Sequence, residues 1–179
     1  MQKTIKALML LAAVALVSTG GQAWGANPAT ISVTVTIQNL RVSASGPIAF
    51  GTVIASSETV SGSASTVTND GNVTETYSLS LTNPGTWTAV QAAPSAAEEY
   101  ALLAQFNATA PTAVSFTYLN HALSTTSTAS SGTKFAGDQT GLSVAAAATR
   151  SLWLRFNAPT STTVTTQQTI TVTVTAAAG

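Results

Sequence analysis

The chain has 179 residues, with six Lys and Arg against six Asp and Glu, one His, no Cys, and only 7% charged residues. So few cations exclude the electrostatic footprint of a nucleic-acid binder, and the lack of cysteine excludes disulfide scaffolds, thiolate metal sites and thiol catalysis. With 45% hydrophobic residues set among Ser and Thr, the composition is that of a folded chain of one-domain length.

Residues 1–25 read as a signal peptide. Lys3 and Lys6 make a positive start, Ala7 to Val17 an apolar run, and Ala23 and Gly25 the small residues before a cut at Ala26. The apolar run has eleven residues, well short of the about 20 that a membrane span needs. The expected mature chain, residues 26–179, is one domain without a transmembrane segment. Its expected destination is the extracellular space or cell surface, or the periplasm.

Along that chain, period-two alternation dominates. Ile31, Val33, Val35 and Ile37 share one parity, with Ser or Thr between them. The parity flips at Gln38-Asn39, which predicts a bulge or a change of sheet. Ile48 and Phe50 open a short element ending at Gly51. Strands around Val60 and Val67 lead to Asn69-Asp70-Gly71-Asn72, where Asp-Gly between alternating runs predicts a hairpin into Val73, Tyr77, Leu79 and Leu81. Asn83-Pro84-Gly85 ends that run. Tyr100 to Phe106 alternates as a strand, whereas Pro111 to Gly141 carries only scattered apolar points. Leu152, Leu154 and Phe156 alternate with Trp153 and Arg155, and the last strand sets Ile170, Val172 and Val174 among threonines. The expected fold class is all-β: an antiparallel β-sandwich of about 8–9 strands.

The run from Ser65 to Val90 contains the Asn69-Asp-Gly-Asn72 turn, then Tyr77-Ser-Leu-Ser-Leu81, then Asn83-Pro-Gly-Thr-Trp87. It resembles the central hairpin of secreted Ig-like domains of bacteria and archaea. The resemblance implies an Ig-like sandwich capped by the Gly-x-Trp segment. It implies no single function, since such domains serve as adhesins, filament subunits and enzyme appendages.

Residues fit for catalysis or metal binding are few. His121 is the only imidazole, so a transition-metal site lacks ligands. Ser131-Gly-Thr-Lys134 has Ser-x-x-Lys spacing without the partner motifs of serine enzymes. Glu98 and Glu99 are adjacent, so a strand points them to opposite faces. Asp70-Gly-Asn72 opens like a calcium loop but lacks the later acids. No enzyme activity, cofactor or metal is expected.

The expected function is that of a secreted structural subunit of an extracellular filament, pilus or surface layer. Ile31, Val33, Val35 and Ile37 form an uncharged strand with none of the features that guard natural strand edges. Ala26 to Thr30 is the expected hinge that would let this strand complete a neighbour's sheet. The alternative is a monomeric adhesion module, with Trp153 contacting a carbohydrate or surface partner. The expected partners are thus a second copy, another surface protein or a glycan, and no nucleic acid.

Overall fold

The computed structural model describes residues 28–179; the expected signal peptide lies outside them. The chain divides into two compact units between Thr36 and Ile37. Residues 28–36 form neither helix nor strand, and Ile31, Val33 and Val35 are exposed.

Residues 37–179 are nearly all β. The described strands are β1 (Val42–Ala44), β2 (Glu58–Val60), β3 (Ser65–Asn69), β4 (Glu75–Thr82), β5 (Thr88–Ala89), β6 (Glu99–Phe106), β7 (Thr128–Ala129), β8 (Thr149–Asn157) and β9 (Thr171–Ala178). One short helix, α1 (Tyr118–His121), follows a 3-10 turn at Ala113–Ser115. The first sheet has the order β1-β3-β8-β6-β5, with β2 also pairing β8; the second has the order β7-β4-β9. All pairings are antiparallel except β5 with β6.

The two sheets face each other across one core. Tyr77, Leu79 and Leu81 of β4 meet Leu102 and Phe106 of β6 and Leu152, Leu154 and Phe156 of β8. These residues alternate along their strands because successive side chains leave opposite faces of a pleat. The inward face of β9 supplies Val172, Val174 and Ala176, which remain only half-buried. Aromatic rings fill the end of the core near Phe156: Phe50, Trp87 and Tyr100 lie with ring centroids 5.6, 5.9 and 5.9 Å from it.

A third layer covers the outer face of β6 and β8. There Ala101 and Leu103 pack with Phe116 and Ala122, with Trp153 against them. Arg155 pins this layer down. Its buried guanidinium donates to the Ala113 carbonyl (2.6 Å) and the Asn157 amide oxygen (3.1 Å), and lies over the Phe116 and Tyr118 rings. Because both faces are covered, every residue of β6 from Tyr100 to Phe106 is buried.

Two local expectations are corrected. The Asn69–Asn72 turn does not make a hairpin: it carries the chain from the first sheet to the second, since β3 pairs β1 and β8 while β4 pairs β7 and β9. Its polar groups bond elsewhere. The Asn69 side chain donates to Val73 and Val144 carbonyls and accepts from the Gly71 N–H, and the Asp70 N–H donates to the Arg41 carbonyl. Gly71 is required by space here, because a β-carbon would collide with the Asn39 carbonyl and the Glu75 carboxylate. Second, Ile48 and Phe50 lie outside any strand, although both pack on the core.

Tyr77 is fully buried and its hydroxyl finds no hydrogen-bond partner. Burial, and then the nearby Glu75, push its pKa up to about 12. An unpaired buried hydroxyl costs about 1–3 kcal/mol. Tyr77→Phe is therefore expected to stabilise the fold by roughly 1 kcal/mol, read as a higher urea midpoint at unchanged m-value; a lower midpoint would contradict it.

Candidate interaction groove and terminal segment

The second sheet ends at β9, whose other edge has no strand beside it among the described residues. Along this edge runs a groove of about 1000 Å³. Ala44 to Val53 form one wall, and Thr162 and Val164 to Ile170 with Val172 and Val174 form the other. Leu152, Leu154 and Phe156 lie at its floor, and none of the lining residues is charged. The floor residues are buried, whereas Ile48, Phe50, Ile170, Val172 and Val174 along the walls are only partly so, which leaves an apolar opening on this side of the sandwich.

The backbone of β9 also has bonding capacity on that side. In β4, the Tyr77 and Leu81 N–H groups bond away from β9, to the Gly141 and Ser124 carbonyls. Antiparallel ladders alternate bonded and non-bonded pairs, so Ser78, Ser80 and Thr82 bond their opposites Thr175, Thr173 and Thr171. The N–H and C=O groups of Val172 and Val174 then point to the free edge. An added strand would find a row of donors and acceptors above an apolar floor.

The rim of the groove is held by Glu98. Its carboxylate accepts the Thr163 N–H (2.7 Å), the Thr162 hydroxyl (2.7 Å) and the Thr163 hydroxyl (3.0 Å). Those bonds, led by the Thr163 N–H, hold its carboxyl below the ordinary carboxylate range. A folded-state pKa below the unfolded one gives stability that is complete at neutral pH and lost as pH falls through the folded value. Loss is thus expected to begin near the ordinary Glu value of about 4.3 and to complete below it. Glu98→Gln should flatten this part of the Tm profile between neutral pH and the acid limit; an unchanged profile would contradict the assignment.

The sequence-predicted assembly residues lie across the boundary between the units. Ile31, Val33, Val35 and Ile37 are 87%, 79%, 79% and 76% exposed, and none belongs to a ladder. Just after Ile37 the chain is fastened. The Asn72 side chain donates to the Ile37 carbonyl and accepts the Asn39 N–H (both 2.8 Å), and the Arg41 N–H donates to the buried Glu75 carboxylate (2.7 Å). Glu75 stands opposite Ala178, so this clip sits at the C-terminal end of β9. The parity flip at Gln38-Asn39 thus marks the clip, and no β-ladder begins before Val42.

Trp153 is half-buried within the third layer, and its indole N–H donates to the Asn107 carbonyl at 2.9 Å. His121 is buried, with its Nδ1 accepting the Thr117 N–H (2.9 Å) and its Nε2 beside the Ala136 carbonyl (3.1 Å). Ser131 accepts the Lys134 N–H within a local turn, while the Lys134 ammonium donates to the Leu119 carbonyl. Among the described residues no three His, Asp or Glu side chains gather as metal ligands, and no helix is long and apolar enough to cross a membrane. The groove itself had no sequence signal, because its walls are irregular segments. Comparison with known proteins finds no family model, no curated protein and no solved structure that matches this chain.

Proposed function

We propose that this chain is a secreted structural protein with an Ig-like sandwich, a subunit of an extracellular filament, pilus or surface layer that assembles by lending its terminal segment to a neighbour. The observation that carries this reading is the row Ile31, Val33, Val35 and Ile37, highly exposed, uncharged and outside any ladder. Contiguous exposed apolar surface marks an interaction site. The strict alternation with Ser32, Thr34 and Thr36 suits a strand with one buried face.

Light scattering and electron microscopy on the purified chain test the reading. Elongated polymers that grow with concentration are expected. A monodisperse monomer over the whole accessible range would contradict it.

A further inference from the structure

We propose that the acceptor for this segment is the groove along β9, and that a second copy's residues 31–37 enter it as a new strand antiparallel to β9. This inference rests on the assembly reading and adds to it the place, direction and register of the contact. The groove and the segment match in three respects. Neither contains a charged residue. The inward row Ile170, Val172 and Val174 has the same two-residue spacing as the row from Ile31 to Ile37. The free edge of β9 offers the N–H and C=O groups of Val172 and Val174, as a ladder requires.

The direction follows from how the groove is closed. At the Ala178 end of β9, the inner end, lies the clip on Asn72 and Glu75, and β1 also approaches β9. The other, outer end leads into the uncharged segment 164–170 that precedes β9 and lines the groove. A donor's body must remain outside, so its Ile37 lies at the outer end and its Ile31 at the inner end. That strand runs opposite to β9, placing Ile37 beside Ile170, Val35 beside Val172 and Val33 beside Val174. A chain using its own segment is constrained differently. Its Ile37 is fastened at the Ala178 end, so its own strand would run parallel to β9. Direction therefore separates a second copy from self-closure.

An added strand of this length also closes the open side of the sandwich. In this register Val33, Val35 and Ile37 lie against the groove lining, and Ile31 continues past it toward Ala176. Each chain gives one segment and receives one, and such a heterologous contact propagates as a head-to-tail fibre.

The test uses cysteines in a chain that has none of its own. In the antiparallel register Thr36 stands opposite Thr171, an outward, non-hydrogen-bonded pair whose α-carbons come within disulfide range. In the parallel register Thr36 stands opposite Thr175. Thr171 and Thr175 are both exposed, so the substitutions leave the core intact. A chain carrying Thr36→Cys is mixed with one carrying Thr171→Cys, or with one carrying Thr175→Cys, and oxidised; mass spectrometry counts mixed dimers. The expected result is at least roughly tenfold more mixed dimer with Thr171→Cys, because only that register holds the sulfurs at bonding distance. Preference for Thr175→Cys would overturn the direction. Polymers that form without either cross-link would overturn the groove as acceptor while leaving assembly standing. A chain that neither polymerises nor cross-links would remove both.

Discussion

Replacing Val33 and Val35 together by Asp is expected to abolish assembly while leaving the melting of the folded body unchanged. Both valines are exposed and outside any ladder, so the substitutions remove no native core contact. Surface changes of this kind usually move stability by no more than about 0.5 kcal/mol. In a neighbour's groove the same two positions would sit among Leu152, Leu154, Val172 and Val174, where no cation is at hand. Burying an unpaired carboxylate costs several kcal/mol. Two of them weaken the contact by well over about a thousandfold, at 1.4 kcal/mol per factor of ten. Sedimentation and light scattering read the loss of polymer, and calorimetry reads the unchanged Tm. Polymers that persist in this variant would remove the segment from the contact.

Phe156→Ala is expected to have the opposite signature, a large loss of stability at the floor of the groove. Phe156 is 6% exposed and lies at the centre of the aromatic group, stacked on Trp87 at an interplanar angle of 19° and tilted against Phe50 and Tyr100. Aromatic-to-Ala truncation in a packed core costs about 3–5 kcal/mol, the spread reflecting how far the site can collapse. Collapse is limited here because the three neighbouring rings come from separate segments, and two of them are held by their own bonds. Tyr100 donates its hydroxyl to Asn83, and Trp87 its indole N–H to Thr162. A denaturant melt that shifts by less than about 1 kcal/mol would place Phe156 outside the core.

How much of this was legible depends on what alternation can encode. Leu152, Leu154 and Phe156, Tyr77 to Leu81, and Val172 with Val174 all alternate because one face of each strand is buried, and each proved to be a strand where the pattern placed it. The same pattern from Ile31 to Ile37 signals a capacity to pair and says nothing about the partner; no ladder forms there. The Asn69–Asn72 turn misled because Asp-Gly marks a tight reversal without stating which sheet receives the next strand. What decided it were the bonds from Asn69 to Val144 and from Asp70 to Arg41, between residues distant in sequence. Residues 111–141 were opaque for a related reason. Phe116 and Ala122 cover β6 and β8 from the residues just after a short 3-10 turn and a four-residue helix, elements too brief for any period to emerge. The groove walls at 44–53 and 162–170 are likewise irregular, so the opening between them could only be seen in three dimensions.

Amide hydrogen exchange, comparing the assembled chain with the Val33→Asp, Val35→Asp variant, tests the central claim most directly. Strand addition gives hydrogen-bond partners to groups that otherwise face solvent, and exchange reports such protection segment by segment. The expected result is strong new protection at the Val33 and Val35 amides of the segment and at the Val172 and Val174 amides of β9, with β4 and β8 unchanged. Protection confined to another strand edge, such as β1, β5 or β7, or no new protection at residues 31–37, would contradict it.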